Sequence, residues 1–147
     1  MTRAPHIVIV VSFAAALTAV ACAARTHKAL VTFDATALSA VRVIGQVEVS
    51  LSSAGLLTPQ QSLSIRRKLT PVITLGQSAT QALIVWQPGQ AVPPDLLALS
   101  DAIGKLLTEV VTLIPDGSAK SQLLTAIATA QAAWQAVLVV IVKGGTP

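Results

Sequence analysis

Apolar residues recur at spacings of three and four along four segments of this chain, and no other feature restricts its possible folds more. Spacing of this kind places apolar side chains on one face of an α-helix. Proline and glycine clusters separate the four segments, so each is expected to form its own helix. The four apolar rows span residues 30–54, 62–86, 96–113 and 123–141.

The first two rows can be paired in a single antiparallel register. If the two helices fold back on each other, Leu30 meets Trp86 at the open end and Ala40 meets Gly76 near the middle. Small residues then coincide where the two backbones can approach closely. The third and fourth rows also pair in one register, with Leu99 opposite Trp134. Matched rows of this kind predict two helical hairpins.

Capping residues mark the ends of the first two helices. Gly55 follows the first row as an expected helix stop. Thr58, Pro59 and Gln61 then combine an N-cap residue, a proline at the first helical position and the glutamine of a capping box. Pro71 lies inside the second row and is expected to kink its helix, because it lacks an N–H donor and crowds the preceding turn.

The sequence therefore predicts an all-α fold, in which an N-terminal signal helix precedes two antiparallel helical hairpins that form an up-down four-helix bundle. We expect a signal peptide followed by a single helical domain, since the length suits one domain. The expected bounds are residues 1–21 for the signal and 22–147 for the domain, with hairpins 26–87 and 95–143 joined by a linker at 88–94.

The first residues have the layout of a secretory signal. Arg3 is the only charged residue before an apolar run at 7–17, which Ser12 alone interrupts, and small residues follow. The run is shorter than the roughly 20 residues of a membrane span. Because polarity stays low as far as Arg25, an uncleaved membrane anchor is an alternative.

The only cysteine of the chain ends this signal, in the sequence Ala19-Val20-Ala21-Cys22. This segment resembles the lipobox of bacterial lipoproteins, although Leu is usual where Ala19 stands. The resemblance implies that Cys22 receives a diacylglyceryl group and becomes the mature N-terminus, held at a membrane by its lipid. Ala23 follows the cysteine, and in lipoproteins of the best-known Gram-negative type the absence of Asp at this position resembles a signal for the outer membrane. The same letters also fit an ordinary signal-peptidase site, which would release a secreted protein.

Catalysis needs polar groups that converge on one site, and the sequence offers none. His27 is the single histidine beyond the signal, and the acidic residues are scattered. Asp101, Lys105 and Glu109 follow one another at intervals of four, which favours a solvated ladder along a helix. We therefore expect no enzyme activity, no catalytic residues, no metal, no cofactor and no small-molecule substrate.

The net charge of +4 depends on few residues, because only 11% of the chain is charged. Arg66, Arg67 and Lys68 form the one basic cluster, and no aromatic residues alternate with them. Nucleic-acid binding would require a basic face or stripe. A solvated helix surface is the better interpretation of this cluster.

Two classes of function remain. The first is a structural or interaction module that faces the periplasm from a membrane of the cell envelope, with the outer membrane favoured over the inner. The second is an integral, holin-like membrane protein, because residues 123–142 carry no charge and reach the length of a span. Charges at Asp101, Lys105 and Glu109 oppose the second class, since they would be costly in hydrocarbon.

The apolar surplus of the chain also predicts a contact surface. Residues such as Val31, Ile84, Val85 and Leu124 lie outside the four rows, and large exposed apolar patches usually mark an interface or a membrane contact. We expect the domain to self-associate, or to bind a protein partner or the bilayer, most readily through residues 137–142. In the alternative, packing between the hairpins buries all these side chains.

Overall fold

The computed structural model describes the backbone of residues 6–144 and the side chains of residues 23–143. Within that part the chain is helical and contains no strand, which confirms the all-α class. The helices are α1 (His6–Ser53), α2 (Pro59–Val85), α3 (Pro94–Glu109) and α4 (Ser118–Gly144), with a short 3-10 turn at Val111–Leu113 between the last two.

The four helices pack against one another in up-down order. Each helix contacts the next along the chain, and α1 closes the bundle through its extensive contact with α4. The predicted four-helix bundle is therefore confirmed. Helix α1 also touches α3, so these two helices face each other across the centre of the bundle. Helices α2 and α4 then lie on opposite flanks of α1.

The core coincides with the predicted apolar rows almost everywhere. Every residue of the second row is buried, from Ser62 to Trp86. The first row is buried from Leu30 to Leu51, whereas Ala54 is exposed because α1 ends at Ser53. Three and four residues match a helical turn of 3.6, so rows at this spacing remain on the inward face.

The loop between α1 and α2 is fixed by backbone geometry at Gly55. Its φ of +72° lies in the left-handed region that glycine adopts without a steric penalty. The Leu56 N–H donates to the Leu51 carbonyl at 2.9 Å, and the Gly55 N–H donates to the Ser52 carbonyl at 3.1 Å. These two bonds form a Schellman motif, which satisfies carbonyls left unpaired at the helix end.

The predicted capping box at the start of α2 is present. The Gln61 N–H donates to Thr58 Oγ1 at 3.2 Å, and the Thr58 N–H donates to Gln61 Oε1 at 2.9 Å. Pro59 occupies the first helical position. Pro71 does not end the helix: α2 is one element from Pro59 to Val85, and Pro71 lies on its exposed side.

The α1–α2 register differs slightly from the predicted one. A side chain placed on Gly76 would begin 2.6 Å from Leu38 Cδ2, so Gly76 packs against Leu38 rather than meeting Ala40 alone. Asp34 and Thr80 also meet across the interface. In both contacts, the α1 residue lies two positions before the one that the prediction placed opposite the same α2 residue. The reason is that a side chain inserts between residues of the facing helix and does not meet one residue head-on.

Helix α3 is shorter than its apolar row. The α-helix ends at Glu109, the chain continues as a 3-10 turn, and Leu113 is half-buried rather than fully buried. Trp134 was expected to face Leu99 of α3, yet its ring packs on Phe33 of α1 with ring centroids 4.8 Å apart. The close association of α4 with α1 accounts for this difference.

Candidate functional sites

The predicted lipidation site, Cys22, lies in the backbone of α1 but outside the described side chains. Helix α1 runs without a break from His6 through Cys22 into the bundle. The five residues from Cys22 to His27 correspond to about 7.5 Å of helix rise. Any anchor at Cys22, or in the segment before it, therefore holds the bundle by this end and without an intervening flexible linker.

That end of the bundle, which we call the basal end, consists of α1 residues 23–32 and the C-terminal turns of α2 and α4. The His27 and Trp86 rings stack there with centroids 5.8 Å apart. Helix α3 begins higher up, where Ser78 Oγ of α2 donates to Asp95 Oδ2 at 2.9 Å. The opposite, distal end carries the loop at Gly55 and the turn at Gly117, whose φ is +151°.

The most exposed large apolar side chains of the described part lie at the basal end. Ile84, Val85 and Val142 are 71%, 74% and 70% exposed. We call the exposed apolar residues of this end the basal belt: Val31, Ile84, Val85, Leu138, Val139 and Val142. The other exposed large apolar side chains are distributed over higher levels of the bundle, at Val49, Leu56, Leu63, Ile73, Leu97 and Leu124.

This exposure sharpens one expectation and corrects another. Packing between the hairpins does not bury all the apolar residues outside the rows, because the basal belt remains in solvent. Within the expected contact segment at 137–142, however, Val137 is fully buried and Ile141 is half-buried. Only one side of the α4 C-terminus is therefore available for contact.

Basic residues surround the basal belt. Arg25 and Lys28 lie on α1 and Lys143 lies in the last turn of α4, all of them exposed. Among the described side chains, the nearest carboxylates lie higher, at Asp34, which is buried, and at Asp95, which accepts the bond from Ser78. The described side chains thus give the basal end a local positive charge.

Trp86 closes the core at the basal end. The side chain is 9% exposed, and its Nε1–H donates to the Ala91 carbonyl at 3.0 Å. Gly89, at a φ of +91°, lets the following loop fold back under the indole. Trp86 therefore belongs to the core, as its place in the apolar row predicts.

Glu48 is a buried carboxylate with a complete set of partners near the distal end. Its side chain is 3% exposed, accepts a bond from Ser62 Oγ, and accepts another from Arg66 Nε at 3.1 Å. Burial raises the pKa of Glu48, but the bonds from Ser62 and Arg66 and the Arg66 charge outweigh it, so the pKa lies below its usual 4.5. The sequence reading missed this cluster, although Ser62, a polar residue inside an apolar row, was a signal for it.

Asp34 is a second buried carboxylate, but its partners are incomplete. Thr80 Oγ1 lies 2.8 Å from Asp34 Oδ2 and 3.0 Å from the Gly76 carbonyl. Asp34 Oδ1 has no partner among the described residues. Burial raises the pKa of Asp34 above its usual 3.8, more than the bond with Thr80 lowers it.

The single hydroxyl proton of Thr80 explains why the neutral acid suits this site. A hydroxyl donates one hydrogen bond, so Thr80 cannot serve both the Gly76 carbonyl and an ionised Asp34. When Asp34 is protonated on Oδ2, its proton reaches Thr80 Oγ1, and Thr80 donates to Gly76. Both contacts of Thr80 Oγ1 are then satisfied.

Two members of the basic cluster pair with acids, although the Arg66 side chain remains 61% exposed. Arg66 binds Glu48, and Lys68 Nζ lies 3.0 Å from Glu109 Oε2 of α3. The expected ladder on α3 is correspondingly incomplete. Lys105 pairs with Asp101 at 2.8 Å, while Glu109 turns across the interface toward α2.

Surface grooves between the helices are further candidate sites, and two of them border α1. One lies between α1 and α4, has a volume of about 760 Å³ and is lined by hydroxyl, amide and small side chains such as Ser50, Gln122 and Ala126. The other lies between α1 and α2, beside Arg42 and Glu48. Among the described side chains, no group of three His, Cys, Asp or Glu residues is placed to hold a metal ion.

Among the described residues, two helical segments are long and apolar enough to cross a membrane. They are Ala23–Ser53, with a mean hydropathy of 1.3, and Ser118–Lys143, with a mean hydropathy of 1.7. The most apolar window of the first is 44% buried in the bundle, whereas that of the second is only 17% buried. By length and composition alone, both segments are compatible with membrane association. Core helices of soluble proteins can have the same length and hydropathy.

Comparisons with protein-family models, with curated proteins and with solved structures found no match to this chain.

Proposed function

We propose that this chain is a small exported protein of the bacterial cell envelope, anchored by a lipid on Cys22, with a structural or interaction role. The observation that carries the proposal is the lipobox-like sequence Ala19-Val20-Ala21-Cys22 at the end of the apolar run, from which α1 continues into the bundle core without a loop. An anchor on this helix would display the bundle in the periplasm, and the residue after the cysteine, Ala23, favours the outer membrane.

The surface of the upper bundle supports an aqueous location for most of the domain. Asp101 and Lys105 are 68% and 63% exposed, and Lys68 and Glu109 form a further exposed pair. Such charges are costly in hydrocarbon. The bundle as a whole is therefore better suited to water, with membrane contact confined to one end.

The alternative function is an integral, holin-like membrane protein. The low burial of the apolar α4 window favours it. Insertion of α4 would, however, separate it from α1, with which it shares buried core residues such as Ile127 and Val137. A secreted protein released by ordinary signal peptidase, and a protein held by an uncleaved first helix, are further outcomes of the same test.

The test is expression of the tagged chain in a Gram-negative bacterium supplied with radiolabelled palmitate, followed by intact mass spectrometry of the membrane fraction. We expect label in the protein, and a mass that corresponds to residues 22–147 plus acyl groups. Cys22→Ser should abolish labelling. A matched control, Ser12→Cys combined with Cys22→Ser, retains one cysteine in the apolar run and should also stay unlabelled.

Each other result assigns the chain to an alternative. Equal labelling of Cys22→Ser would overturn lipidation at this residue. An unlabelled soluble protein that begins at Cys22 would identify a secreted protein. An unlabelled chain of full mass that resists a high-pH carbonate wash would identify an integral protein or an uncleaved anchor.

A further inference from the structure

We infer that the basal end of the bundle is a docking surface for an anionic phospholipid bilayer, into which the basal belt inserts at the level of the headgroups. The inference rests on the proposed function, since it assumes an anchor on α1. It adds an orientation: the bundle stands on the membrane by its basal end rather than being tethered at a distance from it.

The first argument is distance. Cys22 lies about 7.5 Å of helix rise below His27, whose ring stacks on Trp86. An acyl chain on Cys22 begins in the hydrocarbon of the bilayer. An uncleaved apolar helix would also leave the hydrocarbon at about the level of Cys22. Either anchor therefore brings Trp86 and its neighbours Ile84 and Val85 to the membrane interface.

The second argument is the distribution of the basal belt around the bundle. Ile84 and Val85 project from α2, while Leu138, Val139 and Val142 project from α4. These two helices occupy opposite flanks of α1. A second copy of the chain, or another folded protein, would cover one flank of the bundle. A membrane interface that surrounds the whole basal end covers both flanks.

The third argument is charge. Arg25 and Lys28 are exposed at the same end, and among the described side chains the nearest carboxylates lie above them. Basic side chains close to a membrane surface are attracted to anionic headgroups, by about 1 kcal/mol for each residue. Apolar side chains combined with flanking cations are the combination by which interfacial segments bind membranes.

The experiment uses Trp86 as a reporter in the full-length, membrane-extracted chain carrying Trp134→Phe, which leaves one tryptophan. The protein is reconstituted into phosphatidylcholine vesicles, with or without phosphatidylglycerol, that contain lipids brominated close to the headgroup. We expect Trp86 fluorescence to be quenched, and more strongly with phosphatidylglycerol. The complementary Trp86→Phe chain reports from Trp134, higher in the bundle, and should be quenched less.

Two pairs of variants separate docking from anchoring. Ile84→Ser with Val85→Ser should at least halve the quenching of Trp86 without releasing the chain from vesicles. Leu56→Ser with Leu63→Ser, which removes comparable apolar surface at the distal end, should leave it unchanged. Lys28→Gln should reduce quenching only where phosphatidylglycerol is present. Circular dichroism checks that each variant remains helical.

Retention of the chain on vesicles with no quenching of Trp86 would overturn the docking surface and leave the lipid anchor standing. The docking surface would also be overturned if Ile84→Ser with Val85→Ser left the quenching of Trp86 unchanged. A third contrary result would be a Val142→Cys chain that cross-links as a dimer while Trp86 stays unquenched. Conversely, a chain that takes no palmitate but shows the expected quenching refutes the lipid and retains the docking surface with a helical anchor.

Discussion

The distal and basal halves of the α1–α2 interface treat a buried carboxylate in opposite ways. In the distal half, Glu48 receives bonds from Ser62 and Arg66, and its pKa lies below the usual value. In the basal half, Asp34 has one hydroxyl neighbour and an oxygen with no described partner, and burial raises its pKa. The same helix therefore holds one carboxyl group suited to the charged form and one suited to the neutral form.

The exposed surfaces differ in the same direction. The distal half carries ion pairs such as Lys68–Glu109 and a fully hydrogen-bonded capping box. The distal half also exposes apolar side chains, such as Leu56 at 58%, but the most exposed ones, Ile84, Val85 and Val142, lie in the basal half. Saturated polar groups suit a surface in water, whereas exposed aliphatic groups suit contact with an apolar phase. The difference between the halves thus gives the bundle a polarity along its axis.

The largest effect is expected from Arg66→Met, which keeps much of the side-chain length but removes the charge. Glu48 would remain buried with Ser62 as its only partner, and a hydrogen bond to a charged group contributes about 1.5–3 kcal/mol. We expect the free energy of unfolding to fall by that amount at pH 7. Urea unfolding of the full chain in mild detergent, followed by circular dichroism, measures it.

The matched control and the pH dependence test the cause. Arg67→Met removes an exposed neighbouring charge and should change stability by no more than about 0.5 kcal/mol. Because the pKa of Glu48 is lowered in the folded state, its stabilisation is complete above 4.5 and is lost as the pH falls through the folded value. An Arg66→Met deficit that persists under strong acid would contradict the assignment.

Gly76→Leu is expected to have the next largest effect. The Cβ of the new residue would lie 2.6 Å from Leu38 Cδ2, so the flexible end of Leu38 must move aside. The remaining leucine atoms then need room in the interface between α1 and α2. Overpacking of this kind costs about 1–3 kcal/mol. Thermal unfolding of Gly76→Leu, with and without Leu38→Ala, measures the contact. Failure of Leu38→Ala to restore part of the loss would exclude the observed register.

Much of this architecture can be predicted from the sequence because its determinants are local. The apolar rows follow the helical period, and the caps at Gly55 and Thr58 depend on residues within one turn. The Glu48–Arg66 contact joins residues on different helices, so it requires a register known to within a turn. Whether Trp134 faces α1 or α3 depends on how the hairpins pack together, which the rows do not encode.

Asp34→Asn should produce a smaller change in the opposite direction. Since the folded pKa of Asp34 is raised, an ionised Asp34 destabilises the fold as the pH rises above the usual carboxyl value of 3.8. The neutral amide should therefore unfold at higher urea than the wild type at pH 7, and the two midpoints should converge as the pH approaches 3.8.

A second aspartate provides the comparison for that result. Asp95 lies in the first turn of α3, where a negative charge interacts favourably with the helix dipole. Asp95→Asn should thus lower stability at pH 7, by about 0.3–1 kcal/mol. If both variants shifted the midpoint in the same direction, the difference between a buried carboxylate and one in the first turn of a helix would not explain the result.

The smallest effect is expected at the Lys68–Glu109 pair. Its nitrogen and oxygen lie 3.0 Å apart, but the side chains are 35% and 46% exposed, so water and salt weaken the attraction. Exposed pairs contribute about 0.2–1 kcal/mol. A double-mutant cycle with Lys68→Gln and Glu109→Gln should give a coupling in that range, and 1 M salt, with a screening length of about 3 Å, should remove most of it. A coupling that matches the Arg66 effect and resists salt would mean that this surface is as shielded as the buried Glu48 site. The contrast between burial and exposure would then fail as the explanation for how the two ion pairs on α2 differ.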